Sequence, residues 1–395
     1  MSETLPVEPQ GRGKTFRNLT LLCASSLTVM AGTPVSPALP TMEVVFAGHP
    51  SADLLVRLML TLPGLFIGLL APASGWLVDR FGRKPLLLWG AVLYTAAGSS
   101  GLYLDSLWAI LVGRALLGVA VAAIMTAAVT LIGDYFAGAE RQRFLGLQAA
   151  FMSFGGMIFL LAGGLLSDLS WRGPFGIYLV AIGLVPMVIL AIREPQHATA
   201  RSNQQVQPAV AAVPWGVIAL IYAVAFLGMI AFYAIPVQLP FHLRMHFDAK
   251  GTDVGIAIAC MTFFSTLASM LFYRIKSRLS FQGVIAVMLL GLGIGYLVVA
   301  TASSYGFVLV GLMVAGSGLG LLMPNLNVWL MSHAPDAIRG RLVGGLTMAL
   351  FLGQFMSPIV LRPLLASWGT TGLFAGLAGI LFIAASGFGG YAGSR

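Results

Sequence analysis

The sequence predicts an all-α membrane protein whose twelve transmembrane helices form two six-helix bundles. Of its 395 residues, 58% are hydrophobic and only 9% are charged, and the mean hydropathy is +0.92. Such a chain has too few polar residues to cover the surface of a soluble protein. Its apolar stretches are long enough, at about 20 residues each, to cross the hydrocarbon core of a bilayer. An internal repeat divides these stretches into two halves.

Twelve apolar stretches follow one another along the chain, and each predicts one helix. The predicted spans are 17–43, 53–79, 84–104, 107–136, 143–167, 171–192, 214–241, 252–273, 281–302, 305–333, 338–365 and 368–391. The segment between the sixth and seventh spans is polar and predicts a linker. The predicted divisions are a cytoplasmic tail at 1–16, a bundle at 17–193, a cytoplasmic linker at 194–213 and a bundle at 214–395.

The two halves of the sequence resemble each other when one is shifted by 198 residues. The shift aligns Arg141 with Arg339 and Arg143 with Arg341, at the same loop position in each half. Glycines of the neighbouring helices align as well. The aligned pairs include Gly118 with Gly316, Gly146 with Gly344 and Gly155 with Gly353. This pattern predicts two bundles related as parallel repeats.

Lys and Arg residues lie mainly on one side of the predicted topology. Sixteen of the 22 fall on the side that holds both chain termini, five fall on the other side, and Arg114 lies within a span. The positive-inside rule therefore predicts that both termini are cytoplasmic. This loop bias accounts for the pI near 9.9, so the basic composition does not indicate nucleic-acid binding. The polar start of the chain predicts no cleaved signal peptide, and two cysteines in apolar spans predict no disulfide.

A burst of charge interrupts the apolar pattern between the second and third spans. Here Gly82 allows the chain to turn, and Pro85 suits the first turn of the following helix. This segment, called the signature loop below, resembles the loop between helices 2 and 3 of the major facilitator superfamily, G-x-L-x-D-R-x-G-R-[RK]. The residues that match are Gly75, Asp79, Arg80, Gly82, Arg83 and Lys84.

The resemblance implies two pseudo-symmetric bundles, a monomer, and transport by alternating access. The run from Pro37 to Pro40, Pro-Ala-Leu-Pro, is similar to a motif of the drug-efflux branch, whose members are proton antiporters of the bacterial cytoplasmic membrane. It follows from the resemblance that the partners are a small-molecule substrate, protons and membrane lipid, and that no cofactor or metal is needed.

Three charged side chains are predicted to form a conformational latch. Asp79 and Asp134 each end an apolar helix, where the helix dipole disfavours a carboxylate unless a donor lies nearby. In the superfamily, an acid at the position of Asp134 pairs with the second arginine of the signature loop, which is Arg83 in this sequence. The aspartate of the loop, here Asp79, faces the N-terminus of helix 11. The alternative is that Asp134 is a solvated carboxylate at the membrane surface.

Arg114 is the one charge that the topology places well inside a span. A buried guanidinium in a membrane costs several kcal/mol unless it faces a wet cavity or a partner. Its segment resembles the helix 4 motif of drug antiporters, whose arginine is implicated in proton coupling. The alternative is a structural role, with Arg114 hydrogen-bonded to backbone carbonyls of a neighbouring helix.

Proton coupling has few other candidates in this sequence. None of the thirteen carboxylates falls near the middle of a span. Glu43 and Asp53, at the outer ends of the first two helices, remain as candidates together with Arg114. The alternative for Asp53 is an ion pair with Arg57, four residues later on the same helix.

The resemblance implies a substrate cavity between helices 1, 4, 7 and 10. Uncharged hydrogen-bonding groups and aromatic side chains in these helices are the candidate cavity residues. They are Gln238, Asn325 and Asn327, with Phe226, Tyr233 and Trp329, and Arg57 as a cation at the outer end of helix 2. The pair of asparagines follows Pro324, which loosens the helix and exposes carbonyls.

The function predicted from these features is that of a secondary transporter. The sequence holds no nucleotide-binding, hydrolase or metalloprotease motif, so it does not indicate an enzyme, and a gradient must supply the energy. We therefore expect export of a small amphipathic molecule by proton antiport. One alternative is an exporter of an anionic metabolite or carboxylate siderophore, because Arg57, Arg114 and Arg362 lack obvious acids to neutralise them. A channel is the alternative from another class.

Overall fold

The fold is helical throughout the part of the chain that the structure describes. The structure is a computed structural model that describes residues 12–194, 213–335 and 338–393, with side chains not described at 12, 72, 74, 75, 79 and 391–393. Eleven of its helices are long and apolar enough to cross a membrane. A twelfth, Arg83–Gly98, has 16 residues and continues as a 3₁₀ turn at Ser99–Leu102. The predicted all-α membrane fold is confirmed.

Six helices make up the first bundle. Their bounds are α1, Arg12–Val29 with Thr33–Ala38 and Leu39–Val45; α2, Ala52–Leu70 with Ala71–Ala73 and Ser74–Phe81; α3, Arg83–Gly98 with Ser99–Leu102; α4, Leu107–Tyr135; α5, Gly138–Leu169; and α6, Gly173–Gly183 with Leu184–Ala191. Helix α1 begins five residues earlier than the predicted span. It also changes to 3₁₀ geometry at Thr33, because Pro34 and Pro37 lack the N–H groups that an α-helix needs.

Six further helices make up the second bundle. Their bounds are α7, Trp215–Phe247; α8, Gly251–Met270 with Phe272–Lys276; α9, Phe281–Thr301; α10, Tyr305–Leu319 with Leu322–His333; α11, Arg339–Val360; and α12, Arg362–Gly393. Gly369 has φ 65° and ψ −170°, so it interrupts the last of these helices. The part of this helix after Gly369 begins close to the predicted start of the final span.

Each bundle has its own hydrophobic core. One core is formed by residues between Leu21 and Ile192, and the other by residues between Ile218 and Ala385. Two residues cross over: Leu160 of the first bundle packs in the second core, and Val237 of the second bundle packs in the first. We call the end of the molecule where α1 begins and the signature loop lies the basic end. The end where α1 finishes and α2 begins is the opposite end.

Equivalent glycines bring helices together in the two bundles. A Cβ atom on Gly118 would lie 2.4 Å from the carbonyl oxygen of Pro63, so α4 packs directly on α2. A Cβ atom on Gly316 would lie 2.3 Å from the carbonyl oxygen of Met261, so α10 packs on α8 in the same way. Gly316 follows Gly118 by 198 residues, and Met261 follows Pro63 by the same repeat distance. The repeated glycines therefore mark repeated helix contacts, as close packing by small residues requires in membranes.

Prolines inside two helices leave carbonyl oxygens free for tertiary contacts. Pro63 cannot donate to the carbonyl of Met59, four residues earlier, and Pro240 cannot donate to that of Pro236. Side chains from other helices donate to both oxygens: Arg114 to Met59, and Ser36 to Pro236. In each helix, the missing N–H of a proline thus explains both the distortion and the polar contact.

Candidate functional site at the interface of the two bundles

The signature loop connects α2 to α3 at the basic end. Gly82 has φ 79°, a backbone conformation that glycine adopts without strain. This turn brings Arg83 Nε to 3.2 Å from Asp134 Oδ2, at the end of α4, and both side chains are largely buried. Arg80 instead remains exposed, with its guanidinium 5.2 Å from the centre of the Trp76 ring.

Glu194 completes this site, and the sequence analysis missed it. Its two carboxylate oxygens accept hydrogen bonds from the backbone N–H groups of Arg83 and Lys84, both at 2.7 Å. A carboxylate is favoured at these unpaired donors at the start of α3. Lys84 Nζ also donates to the carbonyl of Ile189, at 2.9 Å. The sequence held one signal for such an acceptor: Gly82 has no side chain to cap α3, so the first N–H groups of this helix need an acceptor from elsewhere.

Part of the predicted latch lies outside the described side chains. The backbone of Asp79 belongs to α2, but the side chains at Gly75 and Asp79 are not among those described. The contact of Asp79 with the start of α11 therefore stays a prediction. The described part of the latch is the pair of Arg83 and Asp134, which joins two helices of the same bundle.

Arg114 is completely buried among α1, α2, α4 and α6. Its Nε donates to the carbonyl of Met59 at 2.8 Å, and its Nη2 donates to the carbonyl of Ala31. Tyr178 donates to the same Ala31 oxygen, at 3.1 Å, and the guanidinium lies 5.2 Å from the centre of the Tyr178 ring. Nη1 has no partner. The geometry matches the structural alternative considered for Arg114, because the side chain holds the distorted parts of α1 and α2 in place.

Two ion pairs at the opposite end involve residues predicted for the site. Arg57 Nη1 lies 3.3 Å from Glu43 Oε2, and Arg362 Nη2 lies 3.4 Å from Asp53 Oδ2. Arg57 also donates to Gln238 Oε1 at 3.1 Å, across the interface between the bundles. The alternative expected for Asp53 was wrong in one respect. Arg57 contacts the backbone oxygen of Asp53, whereas the Asp53 carboxylate pairs with Arg362 of the second bundle.

Further hydrogen bonds join the bundles at the same end. Thr41 of α1 accepts from Arg244 of α7 at 2.8 Å. Asp168, at the end of α5, accepts from the backbone of Gly251 at 2.6 Å and of Thr252 at 3.2 Å. Its carboxylate therefore caps the first turn of α8, where negative charge is favoured. A cleft of about 460 Å³ lies beside these contacts. These polar contacts help to close the opposite end, together with apolar ones such as the packing of Val237 and Phe241 of α7 against the first core.

The structure distributes the predicted cavity residues among different surroundings. Tyr233 is partly exposed and packs against both cores, so it lies between the bundles. Gln238 is buried beside Arg57, and its Nε2 has no partner. Phe226 packs on the second core alone. Asn327 is exposed on α10 and donates to the carbonyl of Met323, at 2.9 Å.

Two predicted cavity residues lie inside the second bundle instead. Trp329 is 2% exposed and stacks on Phe281, with ring centres 5.6 Å apart. Asn325 is buried and donates to the carbonyl of Phe281 at 3.1 Å. Both side chains therefore fix α10 against the start of α9 and do not line the space between the bundles. The prediction that these two residues line the cavity was therefore wrong.

Comparison with known proteins identifies the family. The family model of the Major Facilitator Superfamily matches residues 21–358. The chain belongs to the major facilitator superfamily. Proteins of this superfamily are transporters, so the chain is an integral membrane transporter and not an enzyme.

The relatives include resistance proteins of bacteria. The chain is 26% identical to Tetracycline resistance protein, class C, of Escherichia coli over 356 residues, which cover 88% of each chain. It is 22% identical to Quinolone resistance protein NorA of Staphylococcus aureus over 309 residues, or 74% of this chain and 76% of that one. Among solved structures, a D-xylose-proton symporter matches with a TM-score of 0.76 and 15% identity, covering 95% of this chain and 97% of that chain. This last likeness shows the fold alone.

Neutralising Asp168 is expected to loosen the opposite end. In the Asp168→Asn variant the first turn of α8 loses a charged acceptor that is worth about 0.3–2 kcal/mol. A cysteine placed at Val254, a buried residue beside the cleft, should then react faster with a maleimide in purified protein in which Cys23 and Cys260 are serines. Asp105→Asn is the matched control, because Asp105 pairs with Arg172 within the first bundle. Equal reaction rates in the two variants would show that Asp168 does not hold this end closed.

Proposed function

We propose that this transporter exports a small amphipathic molecule in exchange for protons, by alternating access. The observation that carries the proposal is the set of polar contacts between the bundles at the opposite end. Ion pairs and a helix cap can break and form again without disturbing either core. The resistance relatives support efflux as the direction of transport.

The proposed orientation places the basic end in the cytoplasm. Arg83, Lys84, Arg141 and Arg143 lie at this end, in keeping with the positive-inside rule. Both termini are then cytoplasmic, in the bacterial cytoplasmic membrane. In the proposed cycle, the transporter receives substrate from the cytoplasm while the opposite end is closed.

Glu43 and Asp53 are the proposed sites of proton binding. Each carboxylate holds an arginine at the closed end, and Asp53 does so across the interface. Protonation from the outer side removes the negative charge, so Arg57 and Arg362 lose their partners and the closed end is free to open. Loss of the proton restores both pairs and favours closure. Arg114 acts in this scheme by keeping α1 and α2 in register, not by carrying the proton.

The substrate surface is proposed to consist of uncharged groups. Tyr233 lies between the bundles, Gln238 has an unpaired amide nitrogen, and Asn327 is exposed. Such groups suit a molecule with both apolar and hydrogen-bonding parts. The alternative of an anionic substrate depended on three arginines without acids. Because Arg57 and Arg362 are paired and Arg114 binds backbone oxygens, the structure removes that argument.

The test is transport into everted membrane vesicles, whose lumen corresponds to the outer side. Tetracycline, a fluoroquinolone and a lipophilic cationic dye are the probes. We expect saturable uptake of at least one probe when the lumen is acid, and loss of that uptake when nigericin dissipates the pH gradient. Uptake that is indifferent to nigericin would exclude proton antiport, and uptake of every probe at the rate of vesicles without the protein would exclude amphipathic drug efflux.

Carboxylate variants test the coupling step in the same vesicles. Asp53→Asn combined with Glu43→Gln should abolish the dependence of uptake on luminal pH, because neither side chain can then change its charge. Asp105→Asn, which neutralises an exposed acid at the same end, should leave that dependence intact. If the double variant retains the wild-type pH dependence, the proton binds elsewhere.

A further inference from the structure

A groove of about 440 Å³ lies on the first bundle, away from the interface with the second. Its floor is formed by α1 at Cys23, Ser26 and Leu27, and its sides by α5 and α6. Helix α5 packs on Gly173–Gly183 but, within the described residues, forms no extended contact with Leu184–Ala191. The two helices therefore separate toward the basic end and leave a wedge-shaped opening.

The walls of the groove are almost wholly apolar. Its one hydroxyl, that of Ser26, already donates to the carbonyl of Leu22 at 3.1 Å, so it leaves no hydrogen bond to satisfy. Phe154, Ile158 and Val180 border the opening and are each more than half exposed, in a helix bundle surrounded by lipid. A hydrocarbon chain fits these walls better than a polar molecule, which would lose hydrogen bonds to water without replacing them.

One face of α5 links this groove to a cation. Arg143, Leu147, Phe151, Phe154 and Ile158 follow one another at intervals of three or four residues, so they lie on the same side of the helix. Arg143 is exposed and, within the described residues, makes no hydrogen bond or ion pair. It lies eight residues before Phe151, or about 12 Å along the helix axis. That distance places a positive charge at headgroup depth when Phe151 lies among acyl chains.

We propose that the groove binds an anionic phospholipid from the leaflet at the basic end. One acyl chain occupies the space between α1, α5 and α6, and Arg143 binds the phosphate by charge-assisted hydrogen bonds, for which a guanidinium is well suited. A net negative headgroup is preferred over a zwitterionic one, because each arginine near the surface attracts anionic lipid.

Two glycines of α6 provide a matched pair of variants. A Cβ atom on Gly183, which lines the groove, would meet nothing within 4 Å, and the same is true of Gly176, which does not line it. Gly183→Leu therefore fills the groove without a clash at the Cβ position, whereas Gly176→Leu adds the same side chain elsewhere on α6. For the headgroup, Arg143→Gln is compared with Arg341→Gln, its exposed counterpart in the repeat.

Native mass spectrometry of purified protein, titrated with phosphatidylglycerol or phosphatidylcholine, is the direct test. We expect phosphatidylglycerol to bind more tightly, and one bound lipid to be lost in Gly183→Leu but retained in Gly176→Leu. Arg143→Gln should weaken phosphatidylglycerol binding by about fivefold, and Arg341→Gln should not. Equal affinities for the two lipids, or equal binding by Gly183→Leu and Gly176→Leu, would overturn the proposal.

A second measurement keeps the test independent of the folding of Gly183→Leu. In a Cys260→Ser protein, Cys23 is the remaining thiol, and it lies in the groove. Phosphatidylglycerol should slow its modification by N-ethylmaleimide relative to phosphatidylcholine. Tetracycline and the cationic dye are added in parallel. Protection by one of these drugs without protection by phosphatidylglycerol would assign the groove to the transported molecule and overturn the lipid site.

Discussion

Replacing Arg114 with alanine is expected to lower the stability of the protein sharply and to abolish transport. The substitution removes the donor to the carbonyl oxygen of Met59 and one of the two donors to that of Ala31, where Tyr178 remains, and both oxygens lie deep inside the first bundle. Pro63 supplies no N–H to the first of these oxygens, so it stays unpaired. We expect a loss of about 2–4 kcal/mol in the free energy of unfolding, which a fall in the thermal unfolding midpoint of the purified protein would report.

Two further variants separate this structural role from proton coupling. Arg114→Lys keeps the charge, but an ammonium lacks the planar fork that reaches two carbonyls, so its midpoint should lie between those of wild type and Arg114→Ala. Arg341→Ala removes an exposed arginine and should leave the midpoint unchanged. If Arg114→Ala instead keeps its stability and its substrate binding while losing gradient-driven transport, Arg114 has the coupling role that the resemblance implied.

The sequence identified Arg114 as exceptional but could not name its partners. A lone cation in an apolar span is visible in the sequence, whereas a backbone carbonyl has no residue type that marks it. The one available signal was Pro63, which frees the carbonyl of Met59. Which helix donates to that oxygen depends on how the bundle packs, and neither propensity nor hydropathy determines it.

Ion pairs at the opposite end show the same difference between local and tertiary information. The i,i+4 spacing of Asp53 and Arg57 suggested a pair within one helix as the alternative to proton coupling. The structure pairs Asp53 with Arg362, on the other bundle, and Arg57 with Glu43. Side chains at the ends of adjacent helices reach one another because the bundles meet there, and that contact is not encoded in any short segment.

The choice of cavity residues was the least predictable part of the site. In a membrane, the lipid is as apolar as a helix interface, so hydrophobicity does not distinguish the lipid face from the packed face of a helix. Trp329 and Asn325 were accordingly assigned to the cavity although they pack against α9. Signals that do not depend on hydrophobicity were more informative. The glycines of the repeat, such as Gly118 and Gly316, lie at real helix contacts.

Removing either partner of the pair between Arg83 and Asp134 is expected to reduce transport at least tenfold without unfolding the protein. Asp134→Asn leaves Arg83 without its charged partner, 3.2 Å away, at the turn between α2 and α3. The start of α3 remains capped by Glu194 through the backbone of Arg83 and Lys84, so the loop keeps its fold. The loss of stability should stay near 1 kcal/mol, because the amide oxygen of the substituted side chain can still accept a hydrogen bond from Arg83.

A double-mutant cycle decides whether the pair acts as a unit in transport. If Arg83→Gln and Asp134→Asn each remove the same interaction, the double variant should transport no more slowly than either single variant. The matched control is the pair of Arg172 and Asp105, which also lies within the first bundle but at the opposite end; Arg172→Gln should leave transport near the wild-type rate. Transport rates that fall independently, so that the double variant loses the product of both effects, would contradict a shared role. Because all variants keep the fold and are compared in one assay, such a result would show that Arg83 and Asp134 affect transport separately and not through their ion pair.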